Sequence, residues 1–421
     1  MALSLFAAVF LCAAALVGGV SASFAADEEP SSETGADSFD PRPKSLEDYF
    51  QNELETLREL HRREMERERI HAESLENVKK NRLPDPDAEI RVNFDNDWFI
   101  LNAAGGDWGY TSGIRTSVVW PLDLDRESLM GRWRAGEDTA LRTWLLTLLD
   151  TPEGPGRPFF GIALGQEMYT PRDLDRATVD PDDRPYAGWA YLAGLFQIRG
   201  PLGRFDTELQ IGGTGRYSGA EQGQKAIHEN TDAPNPKGWE HQIADGVGVN
   251  AYLRPSRLIF NLQHPREIGV PVQFGDAQLY AETAIGTIFT AQAIGVSIRM
   301  GWIKENWVRR LESGQYVPDR KIPHRFEPDG IELFQFYFFS RMQSQYVLRN
   351  GRIQGLPWVE SEHTLAINPI VHEGEFGLYL QPFNAVAFIF ASTHRTQETR
   401  NGVSDSAGHS YGHLQLVVYW Y

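Results

Sequence analysis

Asp95-Asn96-Asp97 gathers hard oxygen donors within three residues, the donor type that Ca²⁺ takes. Alternation along a strand turns Asp95 and Asp97 to one face and Asn96 to the other. The same run also suits an Asx-rich strand end. Gly109-Tyr110-Thr111-Ser112-Gly113 reads as a turn before a strand that could aim a hydroxyl into a site. Gly165-Gln166-Glu167-Met168-Tyr169-Thr170-Pro171 leads to Arg172 and Arg176, and then to Asp183-Arg184-Pro185-Tyr186-Ala187-Gly188. Arginines on such a loop can hold phosphate oxygens through paired hydrogen bonds, or pair locally with the neighbouring aspartates. In Ala220-Glu221-Gln222-Gly223-Gln224-Lys225-Ala226-Ile227-His228, helical spacing places Glu221, Gln224 and His228 on one face. A histidine so placed either takes a proton from water near neutral pH or is structural. No G-x-S-x-G elbow lies nearby, so water fits as the nucleophile better than a side chain.

The elements that must position these residues read as strands. From about Ala88 onward, apolar and polar residues alternate, as in Ile90, Val92 and Phe94 against Arg91, Asn93 and Asp95. Similar runs lie near Leu192–Ile198, Phe205–Ile211, Val247–Leu253, Gln278–Ile288, Ala293–Trp302, Ile331–Phe339, Phe376–Leu380 and Ala385–Ala391. The pattern predicts an all-β chain of roughly ten to twelve strands, with helix confined to stretches such as Leu141–Leu149 and Glu221–His228. Short turns at one end and long loops at the other are the expected plan for an antiparallel transmembrane β-barrel. The last residues, Leu414 to Tyr421, form a β-type segment ending on three aromatics, as a closing strand would.

Composition narrows the class. A formal net charge of −17 argues against a nucleic-acid partner, which calls for a basic face. Mean hydropathy of −0.39 excludes a helical membrane bundle but not a barrel, whose strands meet lipid with every second residue. Residues 1–25 read as a secretory signal, with an apolar run from Leu3 to Val20 and a Ser23-Phe24-Ala25 cleavage pattern. Cys12, the only cysteine, falls inside it, so the exported chain is expected to lack disulfides. Residues 26–44 read as a flexible linker and 45–82 as a charged helix opened by Ser45, a spacer or self-associating arm. The barrel is expected over 88–421.

In order along the chain, Asp-Asn-Asp, Gly-Tyr-Thr-x-Gly, Gln-x-x-Tyr-Thr-Pro, Asp-Arg-Pro-Tyr-Ala-Gly-Trp, Ala-Glu-Gln-x-Gln-x-x-x-His and Gly238-Trp239-Glu240-His241-Gln242 resemble the outer-membrane lipid A deacylase family. The resemblance covers about Ala88 to Tyr421 and is strongest up to Gln242. It implies a twelve-stranded barrel in the outer membrane, dependence on Ca²⁺, and removal of a 3′-linked acyloxyacyl group from lipid A of lipopolysaccharide. The site would lie between the lumen and outer-leaflet lipid. Residue by residue, His228 matches the general base, Asn96 and Asp97 the pair near the metal, and Thr111 the hydroxyl of the Tyr-Thr-x-Gly turn. Gln224 matches the glutamine one helical turn before the histidine. Arg176 and Arg184 match basic residues for the substrate. Two departures stand out. Pro234 occupies the position of a family glutamate, for which Asp232 or Glu229 could substitute, and the helix from Ser45 is an addition.

The implied reaction is ester hydrolysis by His-activated water with Ca²⁺ opposing the oxyanion charge. It requires His228 and the Asn96–Asp97 pair to meet on one rim of the barrel. The alternatives are a non-catalytic outer-membrane pore or structural barrel, which needs an open lumen, and a soluble periplasmic β-protein.

Overall fold

The computed structural model describes residues 88–97, 109–122, 157–199, 203–231, 235–263, 272–304, 334–383, 385–400 and 408–420, together with residue 62 and the short pair 311–312 and 315–316. The signal, linker and N-terminal helix expected from the sequence lie outside the described residues apart from Arg62, as do Leu141–Leu149, Asp232 and Pro234.

Twelve antiparallel strands close into a barrel. In chain order they are β1 (Ala88–Asn96), β2 (Gly109–Pro121), β3 (Arg157–Thr170), β4 (Ala187–Arg199), β5 (Gly203–Thr214) and β6 (Gly246–Gln263). They continue as β7 (Val272–Gly286), β8 (Phe289–Lys304), β9 (Gln335–Asn350), β10 (Ile370–Phe383), β11 (Val386–Arg395) and β12 (His409–Trp420). Each strand pairs with its sequence neighbours, and β1 closes the ring on β12 with Ala88 opposite Trp420. The aromatic end of the chain is therefore the closing strand. Closure leaves no unpaired strand edge, which a lipid environment would penalise.

The period-2 pattern sorts side chains between lumen and exterior. In β12, His409, Tyr411, His413, Gln415, Val417 and Tyr419 face inward, while Leu414, Leu416 and Trp420 face out. In β3, Ile162 and Leu164 face out while Ala163 is buried. Large apolar residues thus coat the outside and polar or aromatic ones fill the inside, the inverse of a soluble protein.

The lumen is filled in layers. At the end where the termini emerge, Ile303, Tyr337, Phe339, Tyr379, Ile389, Val417 and Tyr419 pack together, with Tyr337 and Tyr379 stacked at 4.6 Å. Above them lie buried ion pairs. Arg254 bridges Glu208 (2.9 Å) and Glu282 (2.6 Å), Arg115 also reaches Glu208 (2.8 Å), Arg299 holds Asp276, and Arg341 holds Glu373 and Glu375. Charges this deep persist only when paired, because the interior cannot solvate them. Aromatic and paired charged side chains thus occupy the described lumen, and a pocket lined by Tyr169, Glu282, Arg341 and Glu373 remains among them.

One expectation about the connections fails. The terminal end of the barrel carries the long segments 122–156 and 305–334, as well as the short turns 200–202 and 384–385. The opposite rim carries the connections 97–108, 171–186, 215–245, 351–369 and 396–408. Gly109–Gly113 is also not a turn. It is the first part of β2, with a bulge at Thr111 between the pairs Tyr110–Tyr169 and Ser112–Met168.

Candidate active site

Every candidate residue read from the sequence sits on or next to the rim away from the termini. Asn96 ends β1, Asp97 follows it, Thr111 lies near the start of β2, and Arg176 and Arg184 lie in the loop between β3 and β4. Gln224 and His228 lie on a helix, α1 (Ala220–Thr231), in the loop between β5 and β6.

Alternation shows which side of the wall each occupies. From Ile162 and Leu164, the outward positions of β3 continue to Gln166 and Met168. In β1, Val92, Phe94 and Asn96 share the outward face, while Asp95 joins Arg91 and Asn93 inside. Register then places Asn96 opposite Ser112, Ser112 opposite Met168, and Met168 opposite Gly188, a row of outward positions across four strands. The bulge turns Thr111 to the same face, where its hydroxyl lies 2.5 Å from that of Thr170.

α1 lies on this outer face. Met168, Tyr186, Ala220 and Trp239 form one buried cluster beneath it. Gln166 Nε2 donates to the carbonyl of Ser218 just before the helix, at 2.7 Å. Close approach depends on Gly188, where a Cβ would meet Ser218 Oγ at 2.0 Å and Ala220 Cβ at 2.6 Å. The helix begins sharply because Gly219 adopts φ +66°, a conformation that glycine takes without steric cost. Ser218 Oγ then accepts from the Ala220 amide at 3.2 Å.

The buried face of α1 consists of Ala220, Gln224 and His228, with Gln224 2% and His228 5% exposed. Glu221, expected on that face, instead pairs with Lys225 Nζ at 2.7 Å. Steps of four residues follow the buried face more closely than the i, i+3, i+7 set, because the stripe tracks a single row along the wall. Trp239 Nε1 donates to Gln224 Oε1 at 2.8 Å, fixing the amide orientation. Gln224 Nε2 is buried and has no partner among the described residues, so it is a donor available to a ligand.

The two arginines occupy different settings. Arg176 is exposed and pairs with Asp180 on its own loop. Arg184 is buried on the lumen side of the wall, where its guanidinium lies 4.7 Å from the Tyr169 ring centre and 3.4 Å from Glu398. Tyr169 faces the lumen while Met168 faces α1, so the structure does not bring Arg184 together with the helix. Burial alone would raise the Glu398 carboxyl. Arg395, His409, Arg184 and Arg352 outweigh it and hold the value at about 2.

Two supports were not foreseen. Thr170 and Trp239 both lie in quoted motifs, but neither had a role until the fold set them against Thr111 and Gln224. Behind Asn96, Asp95 accepts from Tyr110 Oη at 2.7 Å and pairs with His413 Nδ1, which fixes the end of β1 from inside. His413 lies too far along the chain for local spacing to suggest it.

Among the described residues, no three Asp, Glu, His or Cys side chains come together as a metal-holding group. The oxygen-bearing side chains at this end of β1 and β2 are those of Asn96, Thr111 and Ser112, with Asp97, which is buried, directly after Asn96. This set suits a hard cation in kind, and its single carboxylate suits a low-affinity site.

The family model described as "Outer membrane protein LpxR" matches residues 69–420. Among solved structures, LpxR from Salmonella typhimurium is similar at TM-score 0.56 and 16% identity, covering 79% of this chain and 100% of that one. The β domain of the Bordetella autotransporter BrkA matches at TM-score 0.36 and 12% identity, over 80% of this chain and 100% of that one. No curated protein matches the chain. With the model match spanning most of its length and the barrel closed on twelve strands, the chain belongs to the LpxR outer membrane protein family and resides in the outer membrane.

Proposed function

We propose that this barrel is an outer-membrane hydrolase that removes an ester-linked acyl group, the 3′-acyloxyacyl group, from lipid A of lipopolysaccharide. The observation that carries this reading is the placement of α1. A helix bearing a buried histidine and a buried amide with a free donor lies on the outer face of the wall, where an outer-membrane barrel meets lipid. Residues facing the lumen could not reach a lipid ester.

His228 accepts a proton from water as the water oxygen bonds to the acyl carbonyl carbon. The ester C–O bond then breaks, and His228 returns the proton to the departing sugar oxygen, leaving a fatty acid and an alcohol. Gln224, oriented by Trp239, uses its free N–H to position the substrate or the water. Thr111 supplies a hydroxyl on the same face, held by Thr170. Asn96 and Asp97 would hold Ca²⁺, which when bound would supply positive charge to stabilise the developing oxyanion. Arg176, exposed on the rim, suits a lipid A phosphate. Arg184 acts on the reaction only through the loop that it anchors.

The test is mass spectrometry of lipid A from cells expressing the chain, with His228→Ala and with Ca²⁺ chelated. The expected result is loss of an acyl mass that needs both His228 and Ca²⁺. Unchanged lipid A with the protein correctly inserted, or acyl loss that persists in His228→Ala, overturns the proposal.

A further inference from the structure

Below α1, the outer wall carries a shallow, open groove of about 520 Å³ across β2 to β5. Its walls are the outward side chains Ile114, Leu164, Leu192 and Ile211, and its floor is the Ala190 methyl and the bare backbone of Gly212. Register explains the depression. Ala190 lies opposite Gln166 and Gly213, whereas the next outward row brings Leu164, Leu192 and Ile211 side by side. The small Ala190 and Gly213 of the upper row, set beside the branched side chains of the next row, leave a depression in the wall.

The upper end of the groove meets the segment that opens α1. Gln166 both lines the groove and donates to the Ser218 carbonyl at the start of α1. Gly223, next to Gln224, lies over the same glutamine, its virtual Cβ 3.5 Å from Gln166 Oε1. The groove is therefore continuous with the surface on which α1 rests, and it descends along the lipid-facing wall with no polar wall residue below Gln166 except Thr116.

We propose that this groove is the acyl subsite of the hydrolase, holding the chain of the scissile ester, and that Ala190 sets the preference for long chains. The inference rests on the reading given above. An acyl chain is the occupant that fits. The trough is apolar, faces the bilayer, and begins at Gln166, which contacts Ser218 at the start of α1 and lies beneath Gly223. Holding the chain there orients the carbonyl, which is how remote binding lowers a barrier. Filling the trough with a larger side chain would displace a long chain and leave a short one little to lose.

The experiment compares kcat/KM for myristoyl and butanoyl nitrophenyl esters in detergent with Ca²⁺, for the wild type, Ala190→Phe, and Ile298→Phe on the far wall. Ile298 also faces outward, at 45% exposure, so it controls for adding an aromatic ring to the lipid face. The expected result is a fall of roughly tenfold or more in the myristoyl-to-butanoyl ratio for Ala190→Phe, on the scale of a hydrophobic pocket contact, and no change for Ile298→Phe. An active wild type whose ratio is unchanged by Ala190→Phe, or equally changed by Ile298→Phe, overturns the groove and leaves the hydrolase standing. A wild type inactive on every ester overturns the hydrolase, and the groove falls with it. Heat-modifiable electrophoretic mobility checks that each variant is folded, and Ala190→Leu serves if Ala190→Phe is not.

Discussion

Replacing Gly188 with alanine tests the placement of α1 with a single methyl group. A Cβ there would lie 2.0 Å from Ser218 Oγ and 2.6 Å from Ala220 Cβ. Carbon atoms in contact sit about 3.5–4.0 Å apart, so α1 must lift from the wall by roughly 1 Å or more. The barrel itself has no reason to change, because Gly188 faces outward and its ladder partner Met168 keeps its backbone bonds. A displacement of about 1 Å at a catalytic group costs on the order of 100-fold in rate. The assay is the rate of acyl release from lipid A in Ca²⁺-containing micelles, with heat-modifiable mobility as the measure of folding. Gly374→Ala is the matched control, because a Cβ at that position meets nothing within 4 Å. Removing the nearer clash with Ser218→Gly in the Gly188→Ala background should restore part of the activity. Full activity in Gly188→Ala, or an equal loss in Gly374→Ala, would refute the argument that close contact between helix and wall builds the site.

Trp239→Phe removes the hydrogen bond to Gln224 and leaves a second buried amide atom without a partner, at about 1–3 kcal/mol locally. Activity should fall by about tenfold or more while the mobility shift stays intact; an unchanged rate would separate Gln224 from the reaction. Arg184→Ala and Arg176→Ala should differ in kind. Loss of Arg184 strips Glu398 and Tyr169 of a buried partner and should lower the thermal midpoint, whereas loss of Arg176 should raise KM for a phosphorylated lipid at constant stability. His241 donates through one ring nitrogen to Glu362 (2.9 Å) and through the other to the Ala177 carbonyl (3.1 Å), so its pKa is raised chiefly by the Glu362 hydrogen bond. The tie between these rim loops is complete below about pH 6.5, the ordinary histidine value, and is lost as pH rises through the raised one. Limited proteolysis of the rim should accelerate over that window in the wild type and show no such step in His241→Gln.

Much of this protein was legible in one dimension because a barrel wall has a period of two. Ile90, Val92 and Phe94 against Arg91, Asn93 and Asp95 already separated lipid from lumen, and the final aromatic run already read as a closing strand. The chemistry-bearing residues were visible as types and as motifs in a fixed order. Which side of the wall each residue serves was not visible, because that depends on register and on one bulge. The bulge at Thr111 turns that hydroxyl outward beside Thr170, and Gly188 lets a helix from a distant loop rest on the outer face of the wall with Gln224 and His228 buried. Arg184 shows the converse: its motif neighbours pointed toward substrate, yet pairing with Glu398, over two hundred residues away, draws it to the lumen. Local sequence determined the strands because side-chain alternation is a property of the chain itself. Only the closed sheet determined the site, because its parts are joined by cross-strand pairing and by contacts between loops that are remote in sequence.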